Sequence, residues 1–272
     1  MFDYHAHSTI SFDGRSTMKE MAQAARQKGI AEICFTEHYD LSFPHEDDPQ
    51  DCDFDLYKDT LKQTRASMPE YPIKFGVELG LTPEDLPALR DIVHNHPFDF
   101  VIASHHMLDG KDPYYEGFFD GRTVREGQRG YLQEIYDTLK EFDDYDVVGH
   151  IGYPDKYLKK NGIDPAVNPP FEYRDFPSLI DDILRLVIRQ GKGIEANTST
   201  YALYGRPMPH PTIIRRYAEL GGRIITTGSD SHHADQVGRS FNDAYPLLLQ
   251  CGLEYVCTFE NREPAFHKIA QS

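Results

Sequence analysis

The sequence predicts a parallel α/β barrel of seven to eight βα units, closed into one domain spanning residues 1–272. Three observations predict it. Short apolar, β-branched segments alternate with helical patterns along the whole chain. The length of 272 residues suits a fold that typically needs roughly 250. The strand-like segments end in histidines and carboxylates, at the edge where barrel enzymes carry their chemistry. No Gly-rich phosphate fingerprint follows the first strand, which weakens an open, dinucleotide-binding sheet.

Each element follows from its local pattern. "FDYHAH" (2–7) opens as a strand, and His5 and His7, two apart, share one face. "STMKEMAQAARQKG" (16–29) is a helix with Ser16 as N-cap and Gly29 as stop. "IAEICFTEH" (30–38) is a strand ending on His38, and "DLYKDTLKQTRASM" (55–68) is the helix after it. "IKFGVELGL" (73–81) suits complete burial except at Glu78, a carboxylate that needs a cation or a donor there. "TPEDLPALRDIVHNHP" (82–97) opens Thr-Pro-Glu and stops before Pro97. "FDFVIASHH" (98–106) ends on His105 and His106, which alternation sends to opposite faces, so that one of them points into the site.

After the helix "TVREGQRGYLQEIYDTLKEF" (123–142), "DVVGHIG" (146–152) sets His150 between glycines. Helix, strand, helix and strand follow in "SLIDDILRLVIRQG" (178–191), "KGIEANTS" (192–199), "HPTIIRRYAELGG" (210–222) and "RIITTGSDSH" (223–232), and the last puts Asp230 and His232 two apart. "NDAYPLLLQCG" (242–252) and "LEYVCTFEN" (253–261) complete the alternation. Two long loops, 39–53 and 153–177, are placed to carry function or cover a site. The acidic run 45–53 reads as solvated surface.

A formal charge of −16 argues against nucleic acid or a membrane surface as partner, yet it leaves anionic substrates open once metal cations reverse the local field. Four scattered cysteines suggest no disulfide framework, and neither a secretory leader nor a long apolar span is evident. The expected compartment is the cytoplasm.

The strand ends "HAH", "TEH", "VEL", "SHH", "GH" and "SDSH", with Asp13 in the turn beyond the first, supply more metal-type ligands than the three that a single open catalytic ion usually takes. A site holding two or three ions with a bridging carboxylate accounts for them. Glu195 and Asn197 face one side of their strand, where they can position a substrate amine or hydroxyl or bond neighbouring loops.

"DYHAHSTISFDG", "FTEHYD", "GVELGL", "FVIASHH", "VVGHIGYPDKY", "EANTS" and "TTGSDSHHADQVG" together resemble the polymerase-and-histidinol-phosphatase (PHP) superfamily, in its histidinol-phosphate phosphatase branch. The resemblance implies a distorted, TIM-like (β/α)7 barrel with three divalent ions (Zn, Fe or Mn) that hydrolyses a phosphomonoester. It gives His5, His7, Glu78 and Asp230 to the first ion. Glu78, His106 and His150 hold the second, and Asp13, His38 and His232 the third. It leaves His105 to the substrate, or to the metal if the register shifts by one.

Arg206, in "NTSTYALYGRP", is implied as the phosphate clamp; the proton for the leaving oxygen can come from Asp230, His232 or a metal-bound water, among which the sequence does not choose. The basic residue of the 153–177 loop stays open among Lys156, Lys159 and Lys160. The implied substrate is L-histidinol phosphate, in histidine biosynthesis. The alternative is a nucleotide or another small phosphorylated metabolite.

Overall fold

The computed structural model describes residues 1–44, 51–115 and 117–270, so residues 45–50 of the acidic run lie outside the described residues. Seven strands pair in parallel in chain order: β1 (Phe2–Asp3), β2 (Glu32–Tyr39), β3 (Ile73–Gly80), β4 (Phe100–Ser104), β5 (Val147–Val148), β6 (Gly193–Asn197) and β7 (Ile225–Gly228). The chain beyond β1 then pairs with the chain beyond β7. Tyr4 N–H donates to Thr227 O at 2.9 Å, Asp230 N–H to His5 O at 2.8 Å and His7 N–H to Ser231 O at 2.9 Å. Those bonds close the sheet into a barrel.

The helices are α1 (Met18–Gln27), α2 (Phe54–Ser67), α3 (Leu86–Asn95), α4 (Val124–Glu141), the short α5 (Tyr153–Lys156), α6 (Pro177–Arg189), the short α7 (Tyr201–Tyr204), α8 (Pro211–Glu219) and α9 (Phe241–Gln250). Local chemistry sets their starts. Thr17, not Ser16, caps α1 in a reciprocal box with Glu20, because the Ser16 hydroxyl instead accepts the Ala234 N–H at 3.0 Å. Helix α6 buries Ile180, Ile183, Leu184 and Val187, the spacing of a single apolar stripe. These stripes pack on the outward faces of the strands (Ile33, Phe35, Val77, Val101 and Ile194 among them) in one continuous core. No described helix is long and apolar enough to cross a membrane.

"LEYVCTFEN" does not enter the barrel. It forms β8 (Tyr255–Glu260), which turns back antiparallel on β9 (Glu263–Lys268). Pairing between the ends of β1 and β7 already uses both edges of the sheet, so an eighth parallel strand has no partner. The hairpin closes the N-terminal end instead. Cys257 and Phe259 pack with Tyr4, Cys34, Phe100, Ile102 and Val147 in a separate inner cluster. Arg262 Nε donates to Asp146, just ahead of β5, and the Asn261 and Arg262 N–H groups donate to Asp99, just ahead of β4.

Candidate metal centre

At the other end of the barrel, strand alternation turns one polar side chain after another inward, and Glu78 stands at their centre. Its Oε2 lies 3.1 Å from His5 Nε2, 3.3 Å from His7 Nε2 and 3.1 Å from His38 Nδ1, while Oε1 lies 2.8 Å from His150 Nε2 and 3.3 Å from His106 Nε2. Asp230 Oδ1 comes within 3.9 Å of His5 Nε2 and 3.8 Å of His7 Nε2. Nearer the mouth, Asp13 Oδ2 is 2.8 Å from His232 Nε2 and 3.7 Å from His38 Nε2. The His7 ring is stacked on those of His38 and His232, with centroids 4.1 and 4.5 Å away. All nine residues expected as ligands therefore meet in one place.

The donor set fits cations. His5 Nε2, His7 Nε2, His38 Nδ1, His232 Nε2, Glu78 Oε2 and Asp13 Oδ1 are buried without a hydrogen-bond partner among the described residues. A buried polar atom left so costs roughly 1–3 kcal/mol, and several facing one space are explained by an occupant that accepts lone pairs. Four overlapping triads have ligand atoms within 4.8 Å of one another: His7, His38 and His232; His5, Glu78 and His150; His5, His7 and Asp230; His38, Asp40 and His106.

Charge balance follows the same geometry. Burial opposes charge on Glu78, yet His5, His106 and His38 hold its carboxyl well below the usual carboxylate range. Burial also pulls His5 down, but Glu195 and Glu78 outweigh it and leave the imidazole well above its ordinary value. For His7, burial and then His38 and His232 act together, and its pKa falls well below the ordinary one. Ligation needs neutral imidazole, so a cation entering the cluster replaces the protons that these groups share.

Outer carboxylates aim the rings. His5 Nδ1 meets Glu195 Oε1 at 2.7 Å and His106 Nδ1 meets Asp40 Oδ1 at 2.7 Å, which fixes the proton on Nδ1 and leaves each Nε2 lone pair facing Glu78. Glu37 holds the turn after β1 through the hydroxyl and N–H groups of Ser8 and Ser11, and Ser11 Oγ lies 3.4 Å from His7 Nδ1. Two glycines make room. A methyl at Gly80 would stand 1.7 Å from Asp40 Oδ1, and one at Gly228 would stand 2.1 Å from Glu195 Oε1. Asp230 itself sits at φ +51°, a conformation uncommon for a non-glycine residue; its N–H is tied to His5 O, and its carbonyl accepts from Arg239 Nη2 at 3.0 Å.

Four residues expected to face substrate lie elsewhere. His105 points outward, where its Nε2 meets Thr138 Oγ1 of α4 at 2.5 Å, so strand alternation gives the inward position to His106. Glu195 uses both oxygens, on His5 and on the His150 N–H at 2.8 Å. Asn197 faces Glu195 and, at 3.4 Å, Asp230 Oδ2. Arg206 lines a small separate cavity with Asp155, Tyr204 and His210. The loop after His150 turns into α5 and brings Lys156 to the cluster, where its Nζ donates to Asp230 Oδ2 at 3.0 Å.

A cavity of about 440 Å³ opens over the cluster, with Lys156, Arg239 and Arg15 among its lining residues. Asp40 and Arg239 carried no signal of their own in the sequence. The "HYD" triplet at the end of β2 is the one pattern that could have suggested Asp40.

Residues 3–199 match the PHP domain family. A histidinol-phosphatase of Lactococcus lactis is 30% identical over 94% of this chain and 93% of its own length, and a probable histidinol-phosphatase of Clostridium acetobutylicum is 30% identical over 96% and 98%. The crystal structure of a histidinol phosphate phosphatase from Lactococcus lactis, complexed with Zn, L-histidinol and phosphate, superposes with a TM-score of 0.86 at 28% identity, covering 97% of this chain and 98% of that one.

Proposed function

From the premise that this chain belongs to the PHP domain family, in its histidinol-phosphatase branch, we propose that it hydrolyses L-histidinol phosphate to L-histidinol and inorganic phosphate, in the cytoplasm, through a single catalytic domain. One observation carries the reading: a buried carboxylate, Glu78, faced by five imidazoles at the floor of a cavity that also presents Lys156 and Arg239. Cation ligands below and basic side chains at the wall are what a phosphomonoester needs.

Three divalent ions (Zn, Fe or Mn) fit the ligand count. His5, His7, Glu78 and Asp230 would hold one, Glu78, His106 and His150 a second, and Asp13, His38 and His232 a third. Such ions supply Lewis-acid charge to the phosphoryl oxygens and acidify a water for attack. The chain's own groups do the rest. Lys156 and Arg239 give positive charge to the phosphate, Glu195 and Asp40 keep His5 and His106 in one orientation, and Asp230 or His232 returns the proton to the leaving oxygen. Arg206 acts through Asp155 and the loop that carries Lys156, not on the phosphate directly.

The test is chelation followed by resupply of Mn, Zn or Fe, with phosphate release measured from L-histidinol phosphate, sugar phosphates and nucleoside monophosphates. Metal-dependent recovery with a preference above tenfold for L-histidinol phosphate is expected. Recovery with such a preference for another ester would overturn the substrate, and no metal-dependent recovery would overturn the reaction.

A further inference from the structure

One carboxylate on the cavity wall belongs neither to the metal cluster nor to the groups that orient it. Asp112 is 6% exposed and lines the cavity. Its Oδ1 accepts the Tyr114 N–H at 2.7 Å and faces the Tyr153 hydroxyl at 3.4 Å, while its Oδ2 takes no hydrogen bond from a described residue. The cations described at this cavity stand against other groups: Lys156 is paired with Asp230, and Arg239 and Arg15 with backbone carbonyls. A buried carboxylate so placed is costly unless a cationic or N–H-bearing group comes to it.

The surroundings specify that group further. From the cluster outward, rings follow one another: His106 to Tyr153 at 5.1 Å, Tyr153 to Tyr157 at 5.1 Å, Tyr157 to Tyr114 at 5.5 Å and Tyr114 to Tyr115 at 5.1 Å. Tyr153 and Tyr157 lie one helical turn apart, so both present rings to the same side. Aromatic faces around a carboxylate favour a flat cation or an ammonium. The Tyr114 ring already takes one, since Lys160, which lines a neighbouring cavity, sits 3.2 Å from its centroid.

Resting on the hydrolysis proposed above, we infer that Asp112, within the wall formed by Tyr114, Tyr153 and Tyr157, is the specificity residue that receives the cationic nitrogen of the alcohol half of the substrate. The cavity is then divided by charge. Lys156 and Arg239 take the phosphoryl end, and Asp112 takes a protonated amine or imidazole of a leaving group that carries an aromatic ring. A neutral sugar phosphate leaves Asp112 buried without a partner and is rejected for that reason.

The substitution Asp112→Asn keeps an oxygen for the Tyr114 N–H and removes the charge. With wild-type and variant holoenzyme, kcat/KM is measured for L-histidinol phosphate and p-nitrophenyl phosphate, and L-histidinol binding is measured by calorimetry. Metal content and melting temperature establish that the variant is folded and loaded, and Tyr157→Leu supplies an independent change to the same wall. The expected result is a fall of roughly ten- to a hundredfold in the ratio of the two kcat/KM values, chiefly through KM, with L-histidinol binding weakened alongside it.

Both kcat/KM values unchanged in Asp112→Asn, or an equal loss on the two esters with L-histidinol binding intact, would overturn the role of Asp112 while the proposed hydrolysis stood. A wild-type enzyme that releases phosphate from p-nitrophenyl phosphate but ignores L-histidinol phosphate would remove the substrate reading, and this inference with it.

Discussion

The two ends of the barrel are filled on opposite terms. At the N-terminal end, Tyr4, Phe100, Val147, Cys257 and Phe259 fill the interior, and the polar groups beside them are paired: Tyr4 with Glu32, Arg262 with Asp146, and the Asn261 and Arg262 N–H groups with Asp99. At the C-terminal end, the barrel encloses five imidazoles around Glu78 and leaves several of their nitrogens without a hydrogen bond. One end lowers the free energy of the fold. The other spends stability to keep ligand atoms poised.

Substitutions separate the two. Glu78→Gln gives the largest effect expected at the C-terminal end: one charge serves all five imidazoles, so kcat/KM should fall on the order of 10³-fold or more, with metal content lost by elemental analysis. A Glu78→Gln variant with full metal content and rate would erase the contrast. Phe259→Ala is the counterpart at the other end. It should cost about 3–5 kcal/mol in denaturant unfolding through the cavity it leaves, with kcat of the folded fraction within about twofold of wild type. A large loss of kcat there would mean that the ends are coupled.

Much of this contrast was legible in the letters, because strand alternation is a local rule. "HAH", "SDSH" and "VEL" declare their inward residues by spacing alone, and closure of a parallel sheet then brings them to one rim. Which end of "SHH" faces inward needed the register of β4, visible once His105 meets α4. The eighth apolar run reads as a barrel strand because nothing local says that both sheet edges are already taken. Arg206, Lys156 and Asp112 lie on connections between strands whose course is set by contacts far away in sequence: Tyr204 OH donating to Asp155 O at 2.6 Å, Gln128 bonding Asp155 at 2.7 Å, Lys156 reaching Asp230 and Tyr153 OH reaching Asp112. Alternation has nothing to say about such segments.

A finer division exists within the C-terminal end, between groups that would touch ions and groups that aim them. Asp40→Asn leaves all nine expected ligands in place but weakens the hold on the His106 Nδ1 proton. Metal affinity, read by competition with a chromophoric chelator, should fall roughly 10- to 100-fold, with less change in melting temperature than Phe259→Ala produces. If affinity is unchanged, the bond between Asp40 and His106 orients nothing and the outer carboxylates are packing residues.

The smallest expected effect concerns Asp155, buried behind α5, where both oxygens accept hydrogen bonds, from Gln128 Nε2 at 2.7 Å and the Phe171 N–H at 2.9 Å. Burial nevertheless dominates and raises its carboxyl to about 7, with those hydrogen bonds and nearby Arg206 opposing it. An unfolded aspartate titrates near about 3.9, so between roughly pH 4 and 7 the folded protein keeps a proton that the unfolded chain has released. Stability therefore falls as pH rises through that window, by at most about 1.4 kcal/mol per unit from this group, and levels off above it. Asparagine has no proton to lose. Between pH 6 and 8 the unfolding free energy of Asp155→Asn should consequently decline less than that of wild type, by on the order of 1 kcal/mol in urea titrations of the metal-loaded protein. Parallel curves for the two proteins would place the Asp155 carboxylate, held by its donors, on the well-paired terms of the N-terminal end, and would confine the cost of buried charge at this end to the cluster around Glu78.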